Sequence, residues 1–309
     1  MLIAWLLIFI VSLVLLIKSS DWLLASSEKI GLAIGLSPFV IGVTIVAFGT
    51  SFPELVSSFV AVSQGLMEIP VANAVGSNIA NILLVVGFSV VIAKNLKVSK
   101  NLIDLDLPLL AISTAIFVII AWDKQIVFAE SVFLLLTYGI YLTFSLLHPE
   151  ETPDKSVRRP RISVSDLLLL FVGIIGLSIG AKFLIDSIVA LSEILNITAG
   201  IITLTAVAFG TSFPELLVSV KAALKGHSEV ALGNVFGSNV FNVLVVVGLP
   251  GIFSTLTLDE KTFALGIPML IITTILFVFS GISRKIHVQE GVLYIFLYIL
   301  FTAKLFQLF

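Results

Sequence analysis

The 309-residue chain has no cysteine, three histidines and little charge: 12% of its residues are Asp, Glu, Lys or Arg, about half the share in an ordinary soluble domain. Without thiols it offers no disulfide scaffold, thiol nucleophile or Cys-ligated metal, and it suits any redox compartment. Seventeen basic residues against nineteen acidic ones leave no excess to neutralise phosphates, which removes nucleic acid from the partners. Catalytic signatures are missing as well. There is no Cys-His pair and no His-Glu-x-x-His, no nucleophile elbow is expected, and His148, His227 and His287 fall at the ends of apolar runs or in loops, so an enzyme is not expected. The N-terminus, Met1-Leu2-Ile3-Ala4, lacks a positive leader and a cleavage site, so it reads as the start of a membrane helix rather than a signal peptide. What remains is apolar, with 59% hydrophobic residues and a mean hydropathy of +1.19. The lipid bilayer is the solvent that such a composition fits.

A spanning helix needs about 20 mostly apolar residues. Ten runs fit: 2–25, 37–63, 69–93, 105–122, 127–147, 166–190, 198–224, 230–252, 262–282 and 287–307. The one clearly hydrophilic stretch, 148–165, carries Lys155, Arg158, Arg159 and Arg161 and separates a first half, 1–147, from a second, 166–309. Loops after odd-numbered spans carry this linker cluster together with Lys29, Lys94, Lys97, Lys100, Lys221, Lys225, Arg284 and Lys285, against only Lys124, Lys261 and Lys304 on the other side. The positive-inside rule then puts the odd loops and the linker in the cytoplasm, and both termini on the extracellular face of the cell membrane. Lys18 and Lys182, inside or at the ends of apolar runs, are expected to snorkel to an interface. Gly176 and Gly180 are expected to let the sixth span pack smoothly against the core rather than to form a dimer face.

Self-similarity is the strongest signal in the chain. Val46-Ala47-Phe48-Gly49-Thr50-Ser51-Phe52-Pro53-Glu54-Leu55 recurs unchanged as residues 207–216, an offset of 161. At the same offset Asn73, Gly76-Ser77-Asn78 and Asn81 recur as Asn234, Gly237-Ser238-Asn239 and Asn242, and Gly87 as Gly248. Five spans per half is an odd number, so the second half enters the membrane upside down. The expected fold is an all-α polytopic membrane protein, two inverted-topology five-helix repeats with broken helices at the core. Such repeats belong to secondary transporters, whose sites lie near the midplane where the repeats meet.

Glu54 and Glu215 lie deep in apolar runs, where a charge costs at least about 2.5–3.5 kcal/mol on insertion scales. Pro53 and Pro214 each remove a backbone donor, so a kink or break is expected that frees carbonyls of Ala47, Thr50, Ala208 and Thr211 to act as ligands. Helical spacing puts Thr50, Ser51 and Glu54 within one turn, and Asn73, Ser77 and Asn81 on one face of the next span; Thr211, Ser212, Glu215, Asn234, Ser238 and Asn242 repeat this. Every ligand offered is oxygen, which favours hard cations over zinc, copper or iron. Ca2+ fits better than Mg2+, which demands tighter octahedral geometry. Na+ has nearly the size of Ca2+ with half its charge, so one oxygen cage could exchange the two. Interhelical hydrogen bonding is the alternative role for Asn73, Asn78, Asn234 and Asn239.

With its two Gly-Thr-Ser-Phe-Pro-Glu and two Gly-Ser-Asn-x-x-Asn blocks, the sequence resembles the cation/Ca2+ exchanger superfamily, and within it the prokaryotic Na+/Ca2+ exchangers. The resemblance implies a ten-helix fold with spans two, three, seven and eight as a central core and spans one and six sliding across it. It also implies that Glu54 and Glu215 hold Ca2+ with the carbonyls of Thr50 and Thr211, and that Na+ is shared among Ala47, Ser51, Ser77, Ala208, Thr211, Ser212 and Ser238, with Asn81 and Asn242 at the middle. Archaeal members carry an aspartate where Asn242 stands, so here the formal charge rests on two glutamates. One Ca2+ balances it, whereas three Na+ would leave plus one. K+ cotransport, which relatives support with an acid at a central position, is not expected. Nor are a cofactor, a Ca2+-sensing module or a protein partner. The alternative function is H+/Ca2+ antiport, motivated by the paired amides and by desolvated glutamates able to carry protons; against it, that branch usually has Gly-Asn where Gly49-Thr50 and Gly210-Thr211 stand.

Overall fold

A computed structural model describes residues 2–97, 106–147, 160–194 and 212–305. Its helices follow the apolar runs: α1 (Leu2–Ile34), α2 (Pro38–Ser63), α3 (Ile69–Ala93), α4 (Leu107–Asp123), α5 (Phe128–Leu147), α6 (Val164–Ile194), α7 (Phe213–Leu224), α8 (Ser228–Gly251), α9 (Thr262–Ile282) and α10 (Val288–Leu305). Eight of them are long and apolar enough to cross a bilayer; α4 is shorter, and the beginning of the seventh expected span lies outside the described residues. The exterior is what lipid solvates, with Ile3, Ile119, Ile140, Leu168 and Phe279 among its exposed side chains.

Helices α2, α3 and α8 form the interior, α8 being buried along its whole apolar window. Glycine lets α2 and α8 touch backbone to backbone. A Cβ on Gly237 would lie 2.3 Å from the Val43 carbonyl oxygen, one on Gly233 2.5 Å from that of Phe39, and one on Gly42 2.6 Å from that of Val230. Gly176 and Gly180 serve a different contact from the expected one. They press against α1 rather than the core, where added Cβ atoms would meet Ser19 Oγ at 2.1 Å and Leu16 Cγ at 2.8 Å. The segment Gly176-Leu177-Ser178-Ile179-Gly180 spells an elbow motif, contrary to expectation, but it runs mid-helix and Ser178 Oγ donates to the Ile174 carbonyl at 2.9 Å; no strand-to-turn-to-helix presents it as a nucleophile.

The expected break at Gly49–Pro53 is not there. The chain stays α-helical from Ala47 to Ser63 through Pro53, and the irregularity lies before it, in a wide π turn over Gly42–Val46. Proline removes only the one bond that its own N–H would make to Gly49. In the second half Pro214 sits in the first turn of α7, where its missing donor costs nothing. Two further π turns, Asn81–Val86 and Asn242–Val246, begin at the central asparagines. Such bulges recur at functional sites because they re-aim side chains without ending the helix.

The sequence offset reappears in the backbone. Gly65 and Gly226, 161 residues apart, have φ of +80° and +82° and close the same cap: the next residue's N–H bonds a carbonyl five back, Leu66 to Ala61 and His227 to Ala222. Two short antiparallel ribbons join loops distant in sequence, β1 (Asn95–Lys97) with β4 (Lys285–His287), and β2 (Gln125–Ile126) with β3 (Leu256–Thr257). Shifting by 161 carries β1 onto β3 and β2 onto β4, so each ribbon maps onto the other.

Candidate cation-binding site

Where the two halves meet, the repeated blocks converge. Ser51 Oγ of α2 donates to Glu215 Oε1 of α7 at 3.0 Å, and Thr50 Oγ1 donates to Asn234 Oδ1 of α8 at 3.0 Å, with Ser238 Oγ at 3.4 Å. Both glutamates are sealed from solvent, 2% and 0% exposed. Buried carboxylates are costly to ionise without a counter-charge, and a bound cation removes that cost.

The surrounding polar atoms point to the same need. Among the described residues, both carboxylate oxygens of Glu54, Oε2 of Glu215, the hydroxyls of Ser77 and Ser212, and the amide oxygens of Asn81 and Asn242 are buried with no hydrogen-bond partner. These are seven oxygens, and Ca2+ takes about six to eight. Buried polar atoms are nearly always satisfied, so orphans on the repeated blocks of both halves mark a candidate ligand position. Among the described residues no group of three or more His, Cys, Asp and Glu exists, which leaves the charge of the site to the two glutamates.

Of the residues read from the sequence, Glu54, Glu215, Thr50, Ser51, Ser212, Ser77, Ser238, Asn81, Asn242 and Ala47 are all buried. Ala208 and Thr211 lie outside the described residues. Asn78 and Asn239 are interhelical: Asn78 Nδ2 donates to the Asn239 carbonyl at 2.9 Å, stitching α3 to α8. Sequence reasoning missed Ser58 and Ser219. Asn73 Nδ2 reaches Ser58 Oγ at 3.5 Å and Asn234 Nδ2 donates to Ser219 Oγ at 2.9 Å, the same pair in each half. Their recurrence four residues beyond each glutamate was the available signal.

The pattern of the family described as Sodium/calcium exchanger protein matches this chain over residues 4–147 and again over residues 165–307. The chain belongs to the sodium/calcium exchanger protein family. It is 32% identical to sodium/calcium exchanger MaX1 of Methanosarcina acetivorans, with 98% of each chain covered, and 35% identical to an uncharacterized membrane protein of Methanocaldococcus jannaschii, with 96% of each covered. Its fold matches the solved sodium-calcium exchanger NCX_Mj with a TM-score of 0.83 at 33% identity, covering 99% of this chain and 100% of that one. The family is one of multi-pass membrane transporters rather than enzymes.

Proposed function

We propose that this exchanger is a secondary active antiporter that trades Na+ for Ca2+ by alternating access, built as ten spans in two inverted repeats. The observation that carries this reading is the pair of buried carboxylates, one from each half, among seven oxygens that lack a hydrogen-bond partner among the described residues. Ca2+ sits between Glu54 and Glu215, with the carbonyls of Thr50 and Thr211 completing its shell. Na+ uses the hydroxyls of Ser51, Ser77, Ser212 and Ser238 and the carbonyls of Ala47, Ala208 and Thr211, around Asn81 and Asn242. Both cations draw on the same two carboxylates, so full occupancy by one displaces the other. Coupling follows from shared ligands. The solved relative has been soaked with Na+, with Ca2+ and with Sr2+ in work on extracellular ion exchange and binding-site occlusion, which supports these cargoes.

The inverted arrangement draws support from the recurring glycine caps, the paired π turns and the exchange of the two ribbons under one offset. With the cationic loops in the cytoplasm, both termini face outward from the cell membrane. The halves divide at the hydrophilic linker, residues 148–165.

Proteoliposomes loaded with Na+ and diluted into radioactive Ca2+ without external Na+ test the reading. Uptake is expected only with the outward Na+ gradient, and Glu54→Gln or Glu215→Gln is expected to abolish it in protein that remains folded. Uptake driven by a proton gradient alone would establish the H+/Ca2+ alternative, which the unpartnered amides of Asn81 and Asn242 favour. Normal flux in either Gln variant would overturn both.

A further inference from the structure

Asn234 stands outside the proposed ligand set, yet both ends of its amide are committed. Fully buried on α8, it donates from Nδ2 to Ser219 Oγ on α7 at 2.9 Å and accepts at Oδ1 from Thr50 Oγ1 on α2 at 3.0 Å. The relay therefore runs from the first half of the molecule into the second. With Nδ2 given to Ser219 Oγ, Oδ1 is the end that Thr50 meets, and the Thr50 hydroxyl is the donor to it.

A hydroxyl owns one proton and two lone pairs. The bond to Asn234 is shorter than those to the Ala47 carbonyl and Ser238 Oγ, and it takes that proton. What Thr50 Oγ1 then turns to its other neighbours, the Ala47 carbonyl oxygen at 3.3 Å and Ser238 Oγ at 3.4 Å, is lone pairs. Oxygens held about 2.4 Å from one cation in octahedral array stand about 3.4 Å apart, so these separations suit ligands of a shared ion. Without Asn234, the Thr50 proton turns to the Ala47 carbonyl or to the Glu215 carboxylate, and either bond would occupy ligands of the site.

We infer that Asn234 is a positioning residue: it holds the Thr50 proton away from the site and so makes Thr50 Oγ1 a ligand for Na+ beside the Ala47 carbonyl and Ser238 Oγ. All three oxygens are neutral, which suits a monovalent cation and leaves Ca2+ to the carboxylates. In the other half Asn73 Nδ2 reaches Ser57 Oγ at 3.2 Å, the Glu54 carbonyl at 3.3 Å and Ser58 Oγ at 3.5 Å, while Thr211, the counterpart of Thr50, lies outside the described residues.

This inference rests on the Na+/Ca2+ reading, and its test separates the two. Na+-driven Ca2+ uptake is measured for wild type, Asn234→Leu, Asn234→Asp, Thr50→Val and the Leu/Val double variant, with Na+ and Ca2+ titrated separately. Asn234→Leu and Thr50→Val should each raise the half-saturating Na+ concentration about tenfold while moving that of Ca2+ by less than about twofold. The double variant should be no worse than either single one, and Asn234→Asp, which keeps the accepting oxygen and adds a charge close to the site, should not raise the half-saturating Na+ concentration. Equal shifts for both ions, a loss confined to the maximal rate, or an unchanged Na+ dependence would overturn the inference. Should Asn234→Leu fail to fold, Thr50→Val, which keeps the shape of the side chain, decides the matter. A wild-type protein that does not use Na+ in the same liposomes would refute the proposed function instead.

Discussion

With amides at both positions 81 and 242, Glu54 and Glu215 are the acidic residues of the proposed site, and no group of three or more His, Cys, Asp and Glu occurs among the described residues. Asn242→Asp places a third carboxyl group there at nearly constant shape. A unit charge about 4 Å from a cation at an effective dielectric near 20 contributes on the order of several kcal/mol, so half-saturating Ca2+ should fall by tenfold or more once that group ionises. Below its pKa the new acid is neutral and mimics the native amide, so the gain should fade as the pH falls. Ca2+ titrations of uptake at about pH 6 and about pH 9 check this, and identical curves for variant and wild type at the higher pH would refute it. The proposed ligands stood out in the sequence because a glutamate deep in an apolar run is costly to keep, and this one is kept twice inside a ten-residue identity. The supporting hydroxyls were not. A serine or threonine in a membrane helix can bond its own preceding turn, as Thr44 does to the Val40 carbonyl, and only the facing helix distinguishes that from the Ser219–Asn234 bond.

At the scale of elements, the site is held in place by the α2–α8 crossing, where Gly237 permits a contact that no other residue would. Gly237→Ala would put a methyl 2.3 Å from the Val43 carbonyl oxygen and 2.6 Å from Ala47 Cβ. Because the obstacle is backbone on one side and a ligand-bearing turn on the other, the expected cost is about 1–3 kcal/mol. Gly139→Ala on α5 is the control: its Cβ meets nothing within 4 Å among the described residues, and the helix gains roughly 0.5–1 kcal/mol from the lost flexibility of glycine. Thermal unfolding in detergent should therefore show the two substitutions moving the midpoint in opposite directions; equal shifts would mean that the close crossing is absent in solution. The positions of the spans were readable from apolar length, but their ends were not. The first run breaks off at residue 25, yet α1 continues to Ile34, because Glu28 pairs with His227 and Lys29 with Asp166. Polar residues that find partners do not end a helix, and a sequence read alone does not show the partners.

Across the whole molecule, the proposed alternation between two matched inverted halves would give end states of equal energy, and the ion pairs depart from such a balance. Asp21 of α1 pairs with Lys221 of α7 at 2.8 Å, and Glu28, on the same face of α1, pairs with His227 beyond the end of α7. Lys29 ties α1 to α6 through Asp166 at 2.7 Å, so those two helices are joined to each other as well. Under the offset of 161, Asp21 falls on Lys182 and Lys221 on Val60, a pair that forms no such bridge. The clamp therefore works at one end only and favours the present arrangement of α1 over α7. Beside it lies a cavity of about 580 Å3, lined in part by Glu28, Leu32, His227 and Ser228. Partly exposed pairs contribute about 0–1 kcal/mol each, so Asp21→Asn should shift the balance by at most about fivefold. Since the chain has no native thiol, Ser228→Cys gives a background-free reporter of the cavity. Maleimide labelling at that position should quicken in Asp21→Asn, return toward the parent rate when Asp21→Lys is combined with Lys221→Asp, and lose its dependence on the pair at about 1 M salt, where screening acts within about 3 Å. Labelling that ignores all three changes would mean that α1 is held by packing on Gly173, Gly176 and Gly180 of α6 and not by charge.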